Sequence, residues 1–180
     1  VDLASANGRP FVHQFGVGIH ARLVRIRNNM VYRSRFGKML ASLRAIGAAA
    51  VNPPKFEVEF EDENGRQKRI VSGIAVSNNP LDDGPVPVAQ RLDTGRLGVY
   101  FAGTVTTSEL ISLVFDVLLG RWRANPQVTE LESDRIVLHF PKRKREVYAV
   151  IDGELIELER DVELNVMPKA LSVILPAQLT

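Results

Sequence analysis

The acidic turn Asp152-Gly153-Glu154 is the part of the chain whose residue types could most directly do chemistry. It stands between two strand-like runs, residues 146–151 and 155–158. The glycine allows a tight turn, and rigid strands on either side would fix the direction of a carboxylate that accepts a proton from a substrate hydroxyl. Asp-Gly is also a common hairpin turn without a catalytic role. The triplet alone therefore leaves a structural and a catalytic interpretation open.

Other kinds of catalytic site find little support in the composition. The chain has no cysteine, which argues against disulfide scaffolds and thiolate metal sites. Its three histidines, His13, His20 and His139, are spread out and form no His-x-x-x-His pair, so a zinc enzyme is not expected. No Gly-x-x-x-x-Gly-Lys-Ser/Thr or Gly-x-Gly-x-x-Gly loop is present. We therefore expect no nucleotide-binding loop, and we interpret Gly16 and Gly18 as a turn or a close backbone approach.

Charge is distributed unevenly, although the net charge is only +2. No Asp or Glu occurs between Asp2 and Glu57, whereas Lys and Arg recur there, and a second basic cluster precedes the acidic turn. Basic surfaces attract the phosphates of nucleotides, nucleic acids or lipid head groups. The alternative is that these residues are solvated faces that protect sheet edges. The candidates for an anion-binding or lipid-binding surface are Arg33, Arg35, Lys38, Lys142, Arg143, Lys144 and Arg145.

Most of the chain alternates between apolar and polar residues, as strands do. Residues 56–60 follow a strict period of two, Asn64-Gly65 is a strong hairpin signal, and residues 69–76 form the returning strand. Further strands are predicted at 97–102, 128–132, 135–140, 146–151, 154–158, 162–166 and 171–175. Closely spaced antiparallel strands favour a mainly β fold, an antiparallel β-sandwich or barrel.

Two segments are predicted to be amphipathic helices. Between Thr107 and Leu119 the apolar residues fall on one helical face, Thr106 with Glu109 makes a capping box, and Gly120 marks the end. The second segment, Ser34 to Ile46, has an apolar stripe and a basic polar face. Such a helix can lie on an acidic membrane, or it can pack across the sheet of its own domain.

The length and hydropathy fit one compact domain or one domain of a larger protein. At 180 residues and 45% hydrophobic residues, the chain can bury a sizeable core. No run approaches the eighteen apolar residues of a membrane span, and no signal-peptide pattern opens the chain. We expect a cytoplasmic protein, with peripheral contact to the inner face of the membrane as a further expectation.

Several short motifs, in order along the chain, resemble the second domain of a known kinase family. They are Val1-Asp2-Leu3, Asn7-Gly8-Arg9-Pro10-Phe11 with Gly16-x-Gly18, the helix of residues 33–46, Val76-Ser77-Asn78-Asn79, Leu92-Asp93-Thr94-Gly95-Arg96-Leu97, Val150-Ile151-Asp152-Gly153-Glu154 and residues 166–176. Together they resemble the bacterial soluble diacylglycerol kinases and the sphingosine and ceramide kinases. The resemblance extends over nearly the whole chain.

The resemblance implies a two-domain lipid kinase in which this chain, residues 1–180, is the C-terminal β-sandwich domain. The family's first domain carries a Gly-Gly-Asp-Gly-Thr nucleotide-binding signature, which this sequence lacks. We therefore expect the chain to need an N-terminal nucleotide-binding domain as its partner. The two-domain protein would use ATP and Mg²⁺, and this domain alone should be inactive.

The resemblance also implies roles for individual residues. Glu154 matches the family's general base, which would take the proton from a lipid hydroxyl during its attack on the γ-phosphoryl of ATP, while Asp152 and Gly153 would hold the turn. Asp93 and Thr94 lie where some family members bind a structural magnesium, but a threonine hydroxyl is a poorer magnesium ligand than a carboxylate. His13 and His20 stand where the family often has Asn and Asp.

Two alternatives from other functional classes stay open. One is a non-catalytic β-sandwich that binds lipid or anions and has no kinase half. The other, a nucleic-acid binder, is disfavoured because aromatic residues are sparse in the basic block and no RNA-binding signature occurs. The sequence does not specify the lipid acceptor or the oligomeric state.

Overall fold

The computed structural model describes residues 1–28, 47, 51–62, 65–84, 87–142 and 147–174. Within these residues the chain forms strands and two α-helices in an order that begins and ends with strands. The elements are β1 (Leu3–Ala6), β2 (Arg9–Phe11), β3 (Gln14–Gly18), α1 (Ile19–Asn28), β4 (Phe56–Asp62), β5 (Gly65–Ser77), β6 (Leu97–Gly103), α2 (Thr107–Leu118), a 3₁₀ turn (Trp122–Ala124), β7 (Val128–Ser133), β8 (Arg135–His139), β9 (Tyr148–Ile151), β10 (Glu154–Glu157) and β11 (Asp161–Met167).

The long strand β5 joins two layers of one curled antiparallel sheet. Its first half pairs with β4, and its second half pairs with β3 on one side and β6 on the other. The register against β6 shifts between Val71 and Gly73, a bulge that bends the strand. Beyond β3 lie β9 and β10, beyond β6 lies β7, and beyond β4 lie β8, β11, β1 and β2. The predicted antiparallel β-sandwich is therefore confirmed.

The core lies between the two layers and is rich in phenylalanine. Phe60 of β4 and Phe101 of β6 come from opposite layers, and their ring centroids are 4.9 Å apart. Both side chains are almost fully buried, as are Phe11 and Phe15 from the N-terminal strands. Buried apolar side chains from strands of both layers fill the space between them, which is the arrangement expected of a sandwich.

Helix α2 agrees with the prediction in position and in its signals. The Thr106 side chain accepts a hydrogen bond from the Glu109 amide, and the Glu109 carboxylate accepts one from the Thr106 amide, which completes the capping box. Gly120 has φ +68, the left-handed conformation that ends many helices. None of the described helices is long and apolar enough to cross a membrane.

The remaining comparisons with the sequence predictions concern the N-terminal elements, the last predicted strand, the second predicted helix and Gly18. The strands β1, β2 and β3 and the helix α1 were not predicted, and the strand predicted at 171–175 is wrong for 171–174, which carry no regular structure. The predicted helix from Ser34 to Ile46 lies outside the described residues. The close backbone approach at Gly18 is confirmed, because a Cβ there would lie 2.3 Å from the carbonyl oxygen of Ser72.

Candidate functional site

The turn between β9 and β10 is a tight two-residue hairpin. Asp152 and Gly153 occupy its corners with φ values of +47 and +86. Positive φ at both corners defines a type I′ turn, which matches the twist of the flanking strands. The strands are in register on both sides, with Glu154 opposite Ile151. The turn is therefore a fixed corner.

The Asp152 carboxylate is committed to the backbone of a distant segment. Its Oδ2 accepts a hydrogen bond of 2.8 Å from the Val12 amide. Its Oδ1 accepts two more, 2.8 Å from the His13 amide and 3.0 Å from the Gln14 amide. The Asp152 amide in turn donates to the Gln14 carbonyl over 3.0 Å. Asp152 thus clamps the turn onto the connection between β2 and β3.

The Glu154 carboxylate, unlike that of Asp152, is not occupied by backbone hydrogen bonds. Its side chain is 74% exposed, and its Oε2 accepts a hydrogen bond of 2.9 Å from Arg9 Nη2. Among the described residues, no hydrogen bond is made to its other oxygen, Oε1. An exposed carboxylate on a locked turn, with one oxygen held and the other open, has the form needed to accept a proton from a bound hydroxyl.

Arg9 is a residue of this site that the sequence did not reveal. It follows the Asn7-Gly8 turn, whose φ values of +48 and +79 make a second hairpin corner of the same type. Two hairpin tips far apart in sequence, β1–β2 and β9–β10, therefore meet through Arg9 and Glu154. The only available signal was the Asn-Gly dipeptide, which predicts a hairpin but not its neighbour.

Two histidines, His13 and His20, lie near this corner. His13 is exposed and contributes its amide to Asp152. The His20 ring lies at the start of α1, with its Nε2 3.3 Å from Gln14 Nε2. Their roles in the structure are to connect β3 and α1 to the clamped segment.

The second predicted site, the turn at Asp93 and Thr94, is built differently. Asp93 is exposed. The Thr94 amide and hydroxyl both donate to Asn79 Oδ1, over 3.0 and 2.6 Å. The buried Asp2 carboxylate accepts a hydrogen bond of 2.8 Å from the Gly95 amide. This turn is held by neutral and charged hydrogen bonds to buried residues.

These residues do not fit a structural magnesium. The Thr94 hydroxyl is neutral and is directed at Asn79 by its hydrogen bond, and Mg²⁺ binds such a hydroxyl more weakly than a carboxylate. Within the described ranges, no three His, Cys, Asp or Glu side chains come close enough to hold a metal ion. The other carboxylate at this turn, that of Asp2, already accepts hydrogen bonds from the Gly95 and Lys169 amides.

A cavity of about 660 Å³ opens at the other end of the β9–β10 hairpin. Helix α1, the strands β3, β4 and β5, and the residues before β9 enclose it. Its lining is mostly apolar, with side chains that include Val17, Phe56, Ile70, Phe140, Val147 and Leu158. A concave, largely apolar space of this size is typical of a site for a hydrophobic ligand.

The cavity and Glu154 are connected by paired strands. Tyr148 lines the cavity, and Asp152 lies four positions further along the chain, a distance of about 13 Å at ~3.3 Å per residue. Along the same path β3 pairs with β9, from Val17 opposite Ala149 to Phe15 opposite Ile151. The β9–β10 hairpin therefore extends from the cavity to the acidic corner.

Of the predicted basic surface, only Lys142 lies among the described residues. Its side chain is 78% exposed, and its Nζ lies 3.1 Å from Glu57 Oε2 at the edge of the cavity. The remaining members of the predicted set, Arg33, Arg35, Lys38, Arg143, Lys144 and Arg145, lie outside the described residues.

Comparison with known proteins agrees with this architecture. The family model described as the YegS C-terminal NAD kinase beta sandwich-like domain matches residues 14–175. A structure described as a "putative diacylglycerol kinase" from Bacillus anthracis str. Sterne is 18% identical, with a TM-score of 0.66 over 93% of this chain. A second, described in the same words and from the same organism, is 16% identical with a TM-score of 0.62, again over 93% of this chain. The chain spans about half of each, 53% and 54%.

Proposed function

Because the chain belongs to the family of YegS C-terminal NAD kinase beta sandwich-like domains, we propose that it is the acceptor-binding domain of a diacylglycerol kinase-like lipid kinase. The family match confirms the resemblance found in the sequence. The observation that carries the proposal is the pairing of an exposed, rigidly mounted Glu154 with a large apolar cavity along the same hairpin.

In the proposed reaction Glu154 is the general base. As the lipid hydroxyl oxygen forms its bond to the γ-phosphorus of ATP, its proton passes to the Glu154 carboxylate. The bond between the γ-phosphorus and the β–γ bridging oxygen breaks, and ADP leaves. ATP and Mg²⁺ would come with a separate nucleotide-binding domain, and phosphoryl transfer gains mainly from positioning and charge neutralisation.

Asp152 has a positioning role in this proposal. Its three backbone hydrogen bonds hold the turn against the connection from β2 to β3, and this in turn fixes the Cα of Glu154. Arg9 restricts one carboxylate oxygen and leaves the other to face the hydroxyl. The cavity would hold the hydrocarbon part of the acceptor and exclude water from it.

The test is a phosphorylation assay with radiolabelled ATP and a panel of lipids that carry a hydroxyl. We expect turnover when this chain is joined to a nucleotide-binding domain of the family, and none from the 180-residue chain alone. Robust turnover by the chain alone would contradict the domain assignment. Lipid binding without phosphorylation by the joined protein would favour a non-catalytic lipid-binding module.

Contact with an anionic membrane is the other part of the proposal. Lys142 is exposed beside the cavity, and α2 presents an apolar outer face on which Phe115 and Leu118 are 60% and 65% exposed. Helix α2 itself contains no Lys or Arg, so its exposed apolar side chains would supply the hydrophobic part of membrane binding, and Lys142 the electrostatic part. We expect co-sedimentation with anionic vesicles that weakens with salt; equal binding to neutral vesicles would contradict it.

A further inference from the structure

The cavity beside α1 carries an excess of positive charge that an uncharged lipid would not use. Among the described residues, the cationic side chains of its lining are Arg22 and Arg25 from α1 together with Lys55 and Lys142, against a single carboxylate, Glu57. The remainder of the lining is mainly apolar. A neutral diacylglycerol requires only the apolar part of such a surface.

The one carboxylate of the cavity is already neutralised. Glu57 Oε1 lies 2.8 Å from Lys68 Nζ, and its Oε2 lies 3.1 Å from Lys142 Nζ. These two hydrogen bonds lower the pKa of the Glu57 carboxyl, so it stays ionised and keeps both lysines. Glu57 is therefore not free to balance the arginines on the opposite wall.

The two arginines keep their charge exposed to the cavity. Arg22 donates from Nη1 to the Asn52 carbonyl over 2.6 Å. The Arg25 guanidinium lies 5.4 Å from the centre of the Tyr148 ring. Among the described residues, neither arginine is within salt-bridge distance of a carboxylate. An arginine fixed by a carbonyl or an aromatic ring, with donors left over, is well suited to a carboxylate or phosphate.

We propose that this cavity selects an amphiphile with a long hydrocarbon chain and an anionic head group, and that Arg25 and Arg22 are its specificity-determining residues. The hydrocarbon packs against the apolar lining, and the anion lies at the arginines. The inference rests on the proposed function for its assignment of the cavity to a lipid. It adds that the preferred lipid bears a carboxylate or a phosphate, not a hydroxyl alone.

The experiment measures displacement of the fluorescent fatty acid cis-parinarate from the 180-residue chain, with every competitor below its micelle concentration. The competitors share one C18 chain and differ in the head group: oleate, oleoyl lysophosphatidate and oleyl alcohol. We expect at least one anionic competitor to bind about tenfold more tightly than the alcohol. A tenfold difference in affinity is roughly what one charge-assisted hydrogen bond contributes. The tighter of the two identifies the head group.

Arg25→Gln is the decisive variant, because it removes the charge at a position where the guanidinium makes no described hydrogen bond within the protein. It should reduce the advantage of the anion to about threefold or less and leave binding of the alcohol unchanged. Arg66→Gln is the matched control, since Arg66 is 70% exposed, pairs with Glu59 and is not among the residues that line the cavity. Arg66→Gln should leave all three affinities unchanged.

Several results would overturn the proposal. These are equal binding of anions and alcohol, no displacement of the probe, an equal loss for all competitors in Arg25→Gln, or the same loss in Arg66→Gln. None of them depends on turnover. If the charge preference is absent while Glu154 variants of the joined kinase lose activity, the inference fails and the proposed function stands.

Discussion

Two turns of this chain each place an aspartate near a glycine, and the structure uses them in opposite ways. In the β9–β10 turn the Asp152 carboxylate accepts three backbone hydrogen bonds, and the nearby Glu154 is exposed. In the turn at residues 93–95 the aspartate is exposed, and Thr94 makes the structural hydrogen bonds to Asn79. Spacing alone does not reveal which acid is structural, because both motifs are acid and glycine in a short loop.

The difference follows from what each turn packs against. The β9–β10 turn faces the amides of residues 12–14, which need an anion or another acceptor. The other turn faces the Asn79 side-chain oxygen and the buried Asp2 carboxylate, which need donors. A threonine and a backbone amide satisfy those acceptors, whereas a second carboxylate there would be repelled.

Removal of the carboxylate from each turn gives the largest expected contrast in stability. Asp152→Ala leaves three amides without their acceptor, and we expect a loss of about 2–3 kcal/mol in the free energy of unfolding. Asp93→Ala is the matched control and should change it by less than about 0.5 kcal/mol, as exposed substitutions do. Urea unfolding of both variants checks this. Equal losses would show that the two aspartates do not differ.

Removal of the threonine hydroxyl should have a smaller effect. Thr94→Val keeps the shape and the backbone amide but deletes the 2.6 Å hydrogen bond to Asn79. We expect a loss of about 1 kcal/mol, the usual value for one such bond. Thr104→Val, in the loop after β6, is a comparison substitution of the same type. An unchanged unfolding midpoint for Thr94→Val would mean that its hydroxyl does not hold the turn.

Metal removal should have no effect on this domain. Thr94 supplies a hydroxyl where a carboxylate would bind Mg²⁺ more strongly, and within the described ranges no group of three His, Cys, Asp or Glu side chains could hold a metal ion, so we expect the same melting temperature in EDTA and in excess Mg²⁺. A cation bound only to the folded state would add about 2.7 kcal/mol at a hundredfold excess over its Kd. A saturable rise in melting temperature with Mg²⁺ would therefore contradict the metal-free account of this turn.

Local patterns predicted the elements whose signals are themselves local. The alternation of residues 56–60, the Asn64-Gly65 dipeptide and the Thr106–Glu109 capping box all lie within one element or hairpin. Helix α1 carries no such signal, because its first turn has no acidic residue and basic residues interrupt its apolar positions. Helix α1 begins directly after Gly18, the last residue of β3, which lies close to the backbone of β5.

The local sequence pattern indicated the acidic turn at residues 152–154 but left its role open, and the family resemblance supplied the proposed general-base role of Glu154. The contacts that define it are long-range. Asp152 bonds to amides 138 to 140 positions earlier, and Arg9 reaches Glu154 across 145 positions. Pairings between distant hairpins depend on strand order in the curled sheet, which no single segment encodes. The cavity is likewise formed by segments that are far apart in sequence, so its lining could not be predicted from any one of them.

The most direct test of the proposed general-base role of Glu154 is the initial rate of lipid phosphorylation by Glu154→Gln in the two-domain protein at saturating lipid. The amide is nearly isosteric and lies on the surface, so the melting temperature should be unchanged. Loss of a general base should lower turnover about a hundredfold to ten-thousandfold while ATP binding persists. Asp152→Asn, measured alongside, should instead lose stability first and turnover less. A Glu154→Gln enzyme with wild-type turnover would contradict the account.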